Sequence, residues 1–180
     1  CYSCDPGTKQ SALGSSTCDD CLVGEFNPAP GQSVCSTCGV GSFSASVAAT
    51  VCTSCEAGEY QGSNGASFCE LCALGSYIGI GNQPACTLCD PGTFGNETGL
   101  TECYACASGK SQSDFGAWNC TDCGAGSFTA SPGAKTCVLC SPGFFQVATG
   151  ATFCDSCPSG ESQISSGSSV CIDCLVGDFN

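Results

Sequence analysis

Residues 18–38 read CDDCLVGEFNPAPGQSVCSTC, and this stretch holds the pattern on which the fold depends. Two C-x-x-C pairs enclose a loop that carries a glycine, Gly24, and an aromatic residue, Phe26, near its start. Four cysteines at this spacing suit either a four-thiolate zinc site or a set of disulfides. The repeat pattern and the composition of the whole chain help to choose between zinc and disulfides.

The C-x-x-C pair recurs every 17 residues from Cys1 to Cys171 without an insertion, and eleven pairs account for all 22 cysteines. So strict a register is typical of an array in which each repeat stacks on its neighbours, because flexible linkers tolerate insertions. The sequence therefore predicts one continuous array over residues 1–180, about ten and a half repeats long. Since it starts on a first cysteine and stops within a repeat, we expect an excerpt of a longer chain.

Positions within a repeat are counted here from the second cysteine of its pair, which is position 0. Position +3 is always glycine, and position +10 is glycine except at Ala48 and Asn82. Motifs such as DPG (5–7) and SPG (141–143) are turn sequences, because proline restricts φ and glycine accepts positive φ. A turn, an extended segment, a second turn and a return to the cysteine at +14 predict a hairpin-like loop. Without a 3.6-residue periodicity, almost no helix is expected.

Position +5 is aromatic in eight of the eleven repeats. We expect these rings to form the core by packing against the disulfide and glycine of an adjacent repeat, where glycine leaves room. The predicted repeat-packing aromatics are Phe26, Phe43, Tyr60, Tyr77, Phe94, Phe128, Phe145 and Phe179. Lys9, Ser111 and Ser162 replace the ring in the other repeats, and there the array is expected to bend, contact a partner or, around Trp118, repack locally.

The composition explains why cross-links are needed. The chain has 180 residues, 25 glycines, a net charge of −13, three lysines and neither histidine nor arginine. Such a chain buries too little apolar surface to offset its conformational entropy. No basic patch for nucleic acid can form, and an anionic membrane surface would repel the chain. No segment is long and apolar enough to cross a bilayer, so no direct membrane insertion is expected in this excerpt.

Three chemistries use C-x-x-C pairs. Zinc sites are disfavoured, because they would add negative charge to an acidic chain and would leave one of the eleven cysteine pairs unused. A redox centre is disfavoured, because it needs an activated thiol at the start of a helix and no helix is expected. Disulfides are favoured, since bonding position 0 to position +14 closes a loop of about 15 residues, worth about 3 kcal/mol in the chain-entropy model. The rival pairing, Cys1 with Cys21 and so on, would interlock neighbouring repeats, and the spacing alone does not exclude it.

The segments CDPGTFGNETGLTEC (89–103) and CSPGFFQVATGATFC (140–154) resemble the ephrin-receptor-like cysteine-rich repeat. They are also similar to the first small module of tumour-necrosis-factor-receptor cysteine-rich domains, and long arrays of such repeats occur in surface proteins of protists and algae. The resemblance covers the whole chain and implies that the loop-closing cysteines pair. The bridges predicted in this way are Cys4–Cys18, Cys21–Cys35, Cys38–Cys52, Cys55–Cys69, Cys72–Cys86, Cys89–Cys103, Cys106–Cys120, Cys123–Cys137, Cys140–Cys154 and Cys157–Cys171. Cys1 and Cys174 would bond beyond the excerpt or stay free.

These observations predict a small disulfide-rich repeat fold: an elongated, solenoid-like rod of 17-residue hairpin-like loops with little regular secondary structure. We expect an extracellular structural protein, a rod or spacer in the shaft of a cell-surface or filamentous assembly. Self-association or lateral assembly into a fibre or coat is expected with it. The alternative is a ligand-binding or adhesion ectodomain of a receptor-like surface protein, and a zinc-binding Cys4 array is a minor alternative.

Catalysis is not expected, because the chain has no histidine for a general base and no arginine for an oxyanion or phosphate. No metal or other cofactor is predicted. Asn96 in N-E-T and Asn119 in N-C-T are N-glycosylation sequons. Attached glycans are expected if the chain is exported, as structural disulfides require.

Overall fold

The computed structural model describes residues 2–175, and that part of the chain contains no helix. Its secondary structure is twenty strands of two residues each, paired two by two into hairpins. Each hairpin is closed by a disulfide and recurs with the 17-residue period. The predicted small disulfide-rich repeat fold, with almost no helix, is confirmed.

The strands occupy two places in each repeat, namely positions +4 and +5 after the first turn and positions +15 and +16 after the disulfide. Consecutive strands pair in antiparallel fashion, β1 with β2, β3 with β4 and so on. The strands are β1 (Thr8–Lys9), β2 (Asp19–Asp20), β3 (Glu25–Phe26), β4 (Ser36–Thr37), β5 (Ser42–Phe43), β6 (Thr53–Ser54), β7 (Glu59–Tyr60), β8 (Glu70–Leu71), β9 (Ser76–Tyr77), β10 (Thr87–Leu88), β11 (Thr93–Phe94), β12 (Tyr104–Ala105), β13 (Lys110–Ser111), β14 (Thr121–Asp122), β15 (Ser127–Phe128), β16 (Val138–Leu139), β17 (Phe144–Phe145), β18 (Asp155–Ser156), β19 (Glu161–Ser162) and β20 (Ile172–Asp173).

A tight turn leads into the first strand of each hairpin, and residues 90–93 show its chemistry. The amide of Thr93 donates a hydrogen bond to the carbonyl of Asp90 over 2.9 Å. Pro91 stands at the second place of this turn, and Gly92, with φ of +90°, stands at the third. These are the features of a type II turn, in which the third residue needs positive φ. The turn predicted from the DPG motif is therefore present.

The core consists mainly of the cysteines at position 0. Seven of them are buried almost completely: Cys21, Cys38, Cys72, Cys89, Cys106, Cys123 and Cys140. The residues at position +6 join them, and these include buried polar side chains such as Asn27 and Gln146. The interior is thus filled by sulfur, main chain and satisfied polar groups, which is why few large apolar residues are needed.

The aromatic rings at +5 contribute less to the core than the sequence predicts. The described rings are half-buried, namely Phe26, Phe43, Tyr60, Tyr77, Phe94, Phe128 and Phe145. Successive side chains of an extended segment point to opposite sides, so the inward direction of position +6 turns position +5 away from the core. Phe179 lies outside the described residues.

Main chain, rather than an aromatic ring, approaches the glycine at +3. A Cβ atom on Gly109 would lie 3.4 Å from the Cα of Gly150 and closer still to its carbonyl carbon and oxygen. Gly150 stands at position +10, two repeats further along the chain. The expectation that glycine makes room for a neighbouring ring is therefore wrong, because the room is occupied by a carbonyl group.

Four main-chain hydrogen bonds connect each repeat to the next. The amide at position 0 donates to the carbonyl at +3 of the preceding repeat, as Cys38 does to Gly24 over 2.8 Å. The amide at +3 donates to the carbonyl at +6 of the next repeat, as Gly24 does to Ser44 over 2.9 Å. The amide at +6 donates to the carbonyl at +11 of the next repeat, as Asn27 does to Ala49 over 2.9 Å. In return, the amide at +10 donates to the carbonyl at position 0 of the preceding repeat. Since these bonds join main-chain atoms, repeats of different sequence share them.

The chain divides into two compact units. The first comprises Cys1–Ala73, Tyr77–Thr87 and Thr98–Glu102, and the second comprises Leu74–Ser76, Leu88–Glu97 and Cys103–Asn180. Each unit is built internally from the same hairpins and the same hydrogen bonds between repeats. One continuous array over residues 1–180 stays a prediction. Among residues 2–175, no helix has the length and apolar character needed to cross a bilayer.

Candidate functional site

The disulfides form a ladder in which each bridge joins position 0 to position +14 of the same loop. The described residues contain ten such bridges, with the paired Cα atoms 5.6–5.8 Å apart. They are Cys4–Cys18, Cys21–Cys35, Cys38–Cys52, Cys55–Cys69, Cys72–Cys86, Cys89–Cys103, Cys106–Cys120, Cys123–Cys137, Cys140–Cys154 and Cys157–Cys171. This is the pairing that the family resemblance implies.

The interlocking alternative does not form, because Cys21 bonds to Cys35 rather than to Cys1. Cys174 is a free thiol, and Cys1 lies outside the described residues. Zinc binds thiolates, and the twenty sulfur atoms of the ladder are not thiolates. Within residues 2–175, no group of three or more His, Cys, Asp and Glu side chains is placed to hold a metal ion.

A glutamine at position +6 braces the loop of several repeats, and the sequence analysis missed it. Gln146 Nε2 donates to the carbonyl of Phe153 over 2.9 Å, while the amide of Ala148 donates to Gln146 Oε1 over 2.9 Å. The side chain therefore spans its own loop from position +8 to position +13. The same pair of bonds occurs at Gln10, Gln61, Gln112, Gln146 and Gln163. Its recurrence every 17 residues, with gaps, was the available signal.

A shallow groove with a volume of about 460 Å³ lies in the second unit. We call it the Trp118 groove. Its lining, which is mostly apolar, consists of Phe94, Asn96, Ala105, Ala107, Lys110, Trp118, Asn119 and Cys120. The indole of Trp118 is 59% exposed, and no other tryptophan occurs in the sequence.

The rings and charges around the Trp118 groove are held by neighbouring strands. Phe94 of β11 pairs with Tyr104 of β12, and their ring centroids lie 5.9 Å apart in a tilted arrangement. Lys110 Nζ lies 2.6 Å from Asp122 Oδ1 across the β13–β14 pair. This ion pair is partly exposed, so it contributes little to stability but fixes where the ammonium group stands. The groove thus offers two aromatic faces and one positioned cation.

Both predicted sequon asparagines line this same groove. Asn96 follows β11 and precedes the turn at residues 97–99, and its side chain is exposed. Asn119 directly follows Trp118, and it too is exposed. The groove lies between two successive repeats, and the second of them is the one in which Ser111 replaces the +5 aromatic, where the sequence predicts a bend, a partner contact or local repacking. Sequence reasoning found the two asparagines separately but not their shared groove.

Position +13 carries a large, exposed apolar side chain in five of the ten described repeats. In the first unit, Val34, Val51 and Phe68 are each at least 60% exposed. In the second unit, Phe153 and Val170 occupy the same repeat position and are also exposed. The carbonyls of Phe68, Phe153 and Val170 accept hydrogen bonds from a glutamine of the same repeat, while their side chains are exposed.

Comparison with known families agrees with this geometry. The sequence model of the family described as tyrosine-protein kinase ephrin type A/B receptor-like matches the chain at residues 41–79, 75–123, 92–136 and 126–174. These overlapping segments cover well over half of the chain. No curated protein matches it.

Proposed function

Since the chain belongs to the ephrin-receptor-like family of cysteine-rich repeats, we propose that it is an extracellular structural protein, a disulfide-stapled spacer in the shaft of a cell-surface or filamentous assembly. Such repeats are non-catalytic receptor-like modules, and the role proposed here involves no reaction step. An oxidising compartment outside the cytosol is where ten structural disulfides persist. We propose that the repeats form an elongated rod.

The observation that carries the proposal is the set of main-chain hydrogen bonds between successive repeats. They recur from Gly7, which donates to Asn27 over 2.8 Å, to Gly143, which donates to Gln163 over 2.7 Å. Because they are independent of side chains, they let the array grow by adding repeats while surface residues vary. A spacer needs this property, since its length is set by the number of repeats.

The disulfides limit how far the chain can stretch. In an oxidised repeat whose hydrogen bonds are broken, the closed loop contributes only the 5.7 Å between the Cα atoms of Cys4 and Cys18. The three steps from Cys18 to Cys21 add about 3.6 Å each, so the limit is about 17 Å per repeat. A reduced 17-residue repeat could reach about 60 Å. The bridges therefore suit a shaft that must hold its length under tension.

Lateral assembly of such spacers is part of the proposal. The exposed apolar side chains at +13 supply a recurring contact surface, and Val34, Val51 and Phe68 illustrate its spacing. Such exposed apolar surface is a feature of sites that contact other proteins. Copies of this chain are the partners we propose, and the net charge of −13 disfavours nucleic acid.

Single-molecule stretching of the 180-residue chain tests the spacer mechanism. In oxidising buffer we expect extension to stop near about 17 Å per repeat, and the addition of reductant should lengthen the chain roughly 3.5-fold. The double variant Cys38→Ser/Cys52→Ser should add about 45 Å by opening one loop, and it serves as the internal calibration. Extension beyond the oxidised limit without reductant would contradict the proposed staple.

Length measurements on arrays of different repeat number test the spacer role itself. If the protein is a spacer, the longest dimension seen by small-angle scattering or negative staining should rise linearly when duplication adds five and then ten whole 17-residue repeats in register. A longest dimension that stays constant after duplication would contradict that role.

A ligand-binding ectodomain is the second candidate, and the Trp118 groove favours it. The groove combines an exposed indole, a half-buried ring at Phe94 and the ammonium of Lys110. Calorimetric titration of oligosaccharides against the unglycosylated chain discriminates between the candidates. Saturable binding that Trp118→Ala abolishes supports the ectodomain, and absence of binding supports the spacer.

A further inference from the structure

Two N-glycosylation sequons meet at one aromatic groove, although they lie in different repeats. Asn96 and Asn119 both line the Trp118 groove, together with the rings of Phe94 and Trp118. Asn119 is adjacent to Trp118 in the sequence, whereas Asn96 reaches the same groove only through the packing of two hairpins. The shared groove of the two sequons therefore calls for a structural explanation.

The groove has the chemistry that a pyranose ring requires. One face of an N-acetylhexosamine presents C–H groups that pack on aromatic rings, and Trp118 and Phe94 offer such rings in one apolar lining. At its edge stands the ammonium of Lys110, 2.6 Å from the Asp122 carboxylate, so a donor and an acceptor are both available to sugar hydroxyl groups. The volume of about 460 Å³ falls within the range typical of small-ligand sites.

The two asparagines differ in how freely their sequons can be presented. Residues 96–98 run from the end of β11 into a turn, and both Asn96 and Thr98 are exposed. In the other sequon, Cys120 is bonded to Cys106, and Gln112 holds the carbonyl of Asn119 at 2.9 Å. Exposed turns accept modification, whereas a segment tied by a bridge and a strand pair does not present its amide freely.

We propose that Asn96 carries an N-linked glycan whose first sugar lies in the Trp118 groove, and that Asn119 stays unmodified because the Cys106–Cys120 bridge and Gln112 tie down its sequon. The transfer forms a bond between the anomeric carbon of the sugar and Nδ2 of Asn96. It breaks the bond from that carbon to a phosphate oxygen of a polyprenyl-diphosphate oligosaccharide, and the diphosphate leaves with the electron pair while the amide loses a proton. The sugar then covers the exposed indole.

This inference rests on the proposed extracellular location, because the transfer takes place on chains that enter the secretory pathway. The test therefore uses the 180-residue chain secreted by a eukaryotic host behind an added signal peptide, so that export is imposed. Intact mass with and without reductant first verifies the ten bridges. Failure of the bridges would count against the proposed function, whereas failure of modification in a bridged chain would count against this inference alone.

Glycopeptide mass spectrometry reads the modification. We expect Asn96 to be occupied and Asn119 to be largely unmodified, and the variant Thr98→Ala should remove the glycan without altering Asn96 itself. An unmodified Asn96 in the bridged, secreted chain, or equal occupancy of both asparagines, would overturn the proposal.

Quenching of Trp118 fluorescence by iodide measures how accessible the indole is, and so tests whether the sugar covers it. Relative to Asn96→Gln, the glycosylated chain should show about a twofold smaller quenching constant, because a sugar stacked on the indole covers one of its two faces. Equal quenching constants in the two proteins would overturn the placement of the sugar.

The matched control moves the glycan to the same position of another repeat. In the Asn96→Gln background, Val147→Asn creates a sequon with Ala148 and Thr149 at a residue that is 64% exposed. Its glycan should leave the quenching of Trp118 at the unglycosylated level. Protection of Trp118 by this remote glycan would show an unspecific effect and would overturn the assignment of the groove.

Discussion

The backbone of Gly24 lies directly against the carbonyl group of Gly65, which stands two repeats further along the chain. A Cβ atom on Gly24 would be 3.1 Å from the Gly65 Cα and would overlap the Gly65 oxygen. Gly24 also has a φ of +79°, which side-chain-bearing residues rarely adopt. Position +3 therefore requires glycine twice, for its conformation and for the approach of a second backbone.

The two requirements can be separated by the same substitution at two repeats. Gly24→Ala should lower the free energy of unfolding by several kcal/mol, because Gly24 is subject to both requirements. Gly143→Ala should lower it by only about 1–2 kcal/mol, because Gly143 has a φ of +83° but no atom within 4 Å of where its Cβ would lie. Hydrogen exchange of the amides around each site measures the difference. Equal effects at the two sites would show that the close approach adds no constraint.

Two residues at position +10 adopt a glycine-like conformation without being glycine. Ala48 has a φ of 56° and Asn82 has a φ of 60°. Ala48→Gly should stabilise its loop by about 0.5–1 kcal/mol, because the relief of backbone strain exceeds the added entropy of the unfolded chain. Asn82→Gly should change stability less, since asparagine tolerates this region. Local opening free energies from hydrogen exchange provide the comparison, and a destabilised Ala48→Gly protein would contradict it.

The glutamine at position +6, which braces five of the loops, should stabilise its own loop. Gln146→Ala removes the bonds to Phe153 O and Ala148 N, and the loss of two buried bonds should lower local stability by about 1–3 kcal/mol. Protection of the Ala148 amide against exchange is the direct measurement. Gln32→Ala is the control, because the exposed Gln32 uses its main-chain carbonyl, not its side chain, to accept from Gln10. Similar losses in both variants would refute the brace.

The pair formed by Tyr60 and Glu70 predicts a titration that can be followed directly. Tyr60 Oη donates to Glu70 Oε2 over 2.8 Å, and this bond, together with the negative charge of Glu70, raises the pKa of Tyr60. The folded chain therefore holds this proton more tightly than the unfolded chain. The stabilising contribution is present below the ordinary pKa of tyrosine and is lost as the pH rises through the raised value.

Ultraviolet absorbance of tyrosinate tests this prediction. An ionisation step above the ordinary tyrosine pKa should be present, and Tyr60→Phe should remove it. Glu70→Gln should lower the pKa of Tyr60 towards the ordinary tyrosine value, because the negative charge of Glu70 is gone. If Glu70→Gln leaves the titration unchanged, the assigned cause is wrong.

Local features of the repeat could be predicted, while contacts between distant residues could not. The turn at Pro91 and Gly92 follows from the φ preferences of those two residues. The partner of Gly24 could not be read in the same way, because any residue presents the carbonyl that approaches it. The half-burial of Phe26 was also missed, since the periodic ring looked like core while the smaller Asn27 fills that place. Asn96 and Asn119 were found as sequons, but their common groove depends on how two hairpins pack.

The sequence by itself determined the 17-residue period, the turn after the second cysteine of a pair and the absence of helix from residues 2–175, because all three depend on local spacing and backbone preference. It left two disulfide pairings open. Only the tertiary structure decided that Cys21 bonds to Cys35, that Gly24 meets Gly65 and that Trp118 shares a groove with Asn96. The physical reason is that main-chain hydrogen bonds position the repeats, and almost every residue type can form those bonds, so the sequence does not identify the partners.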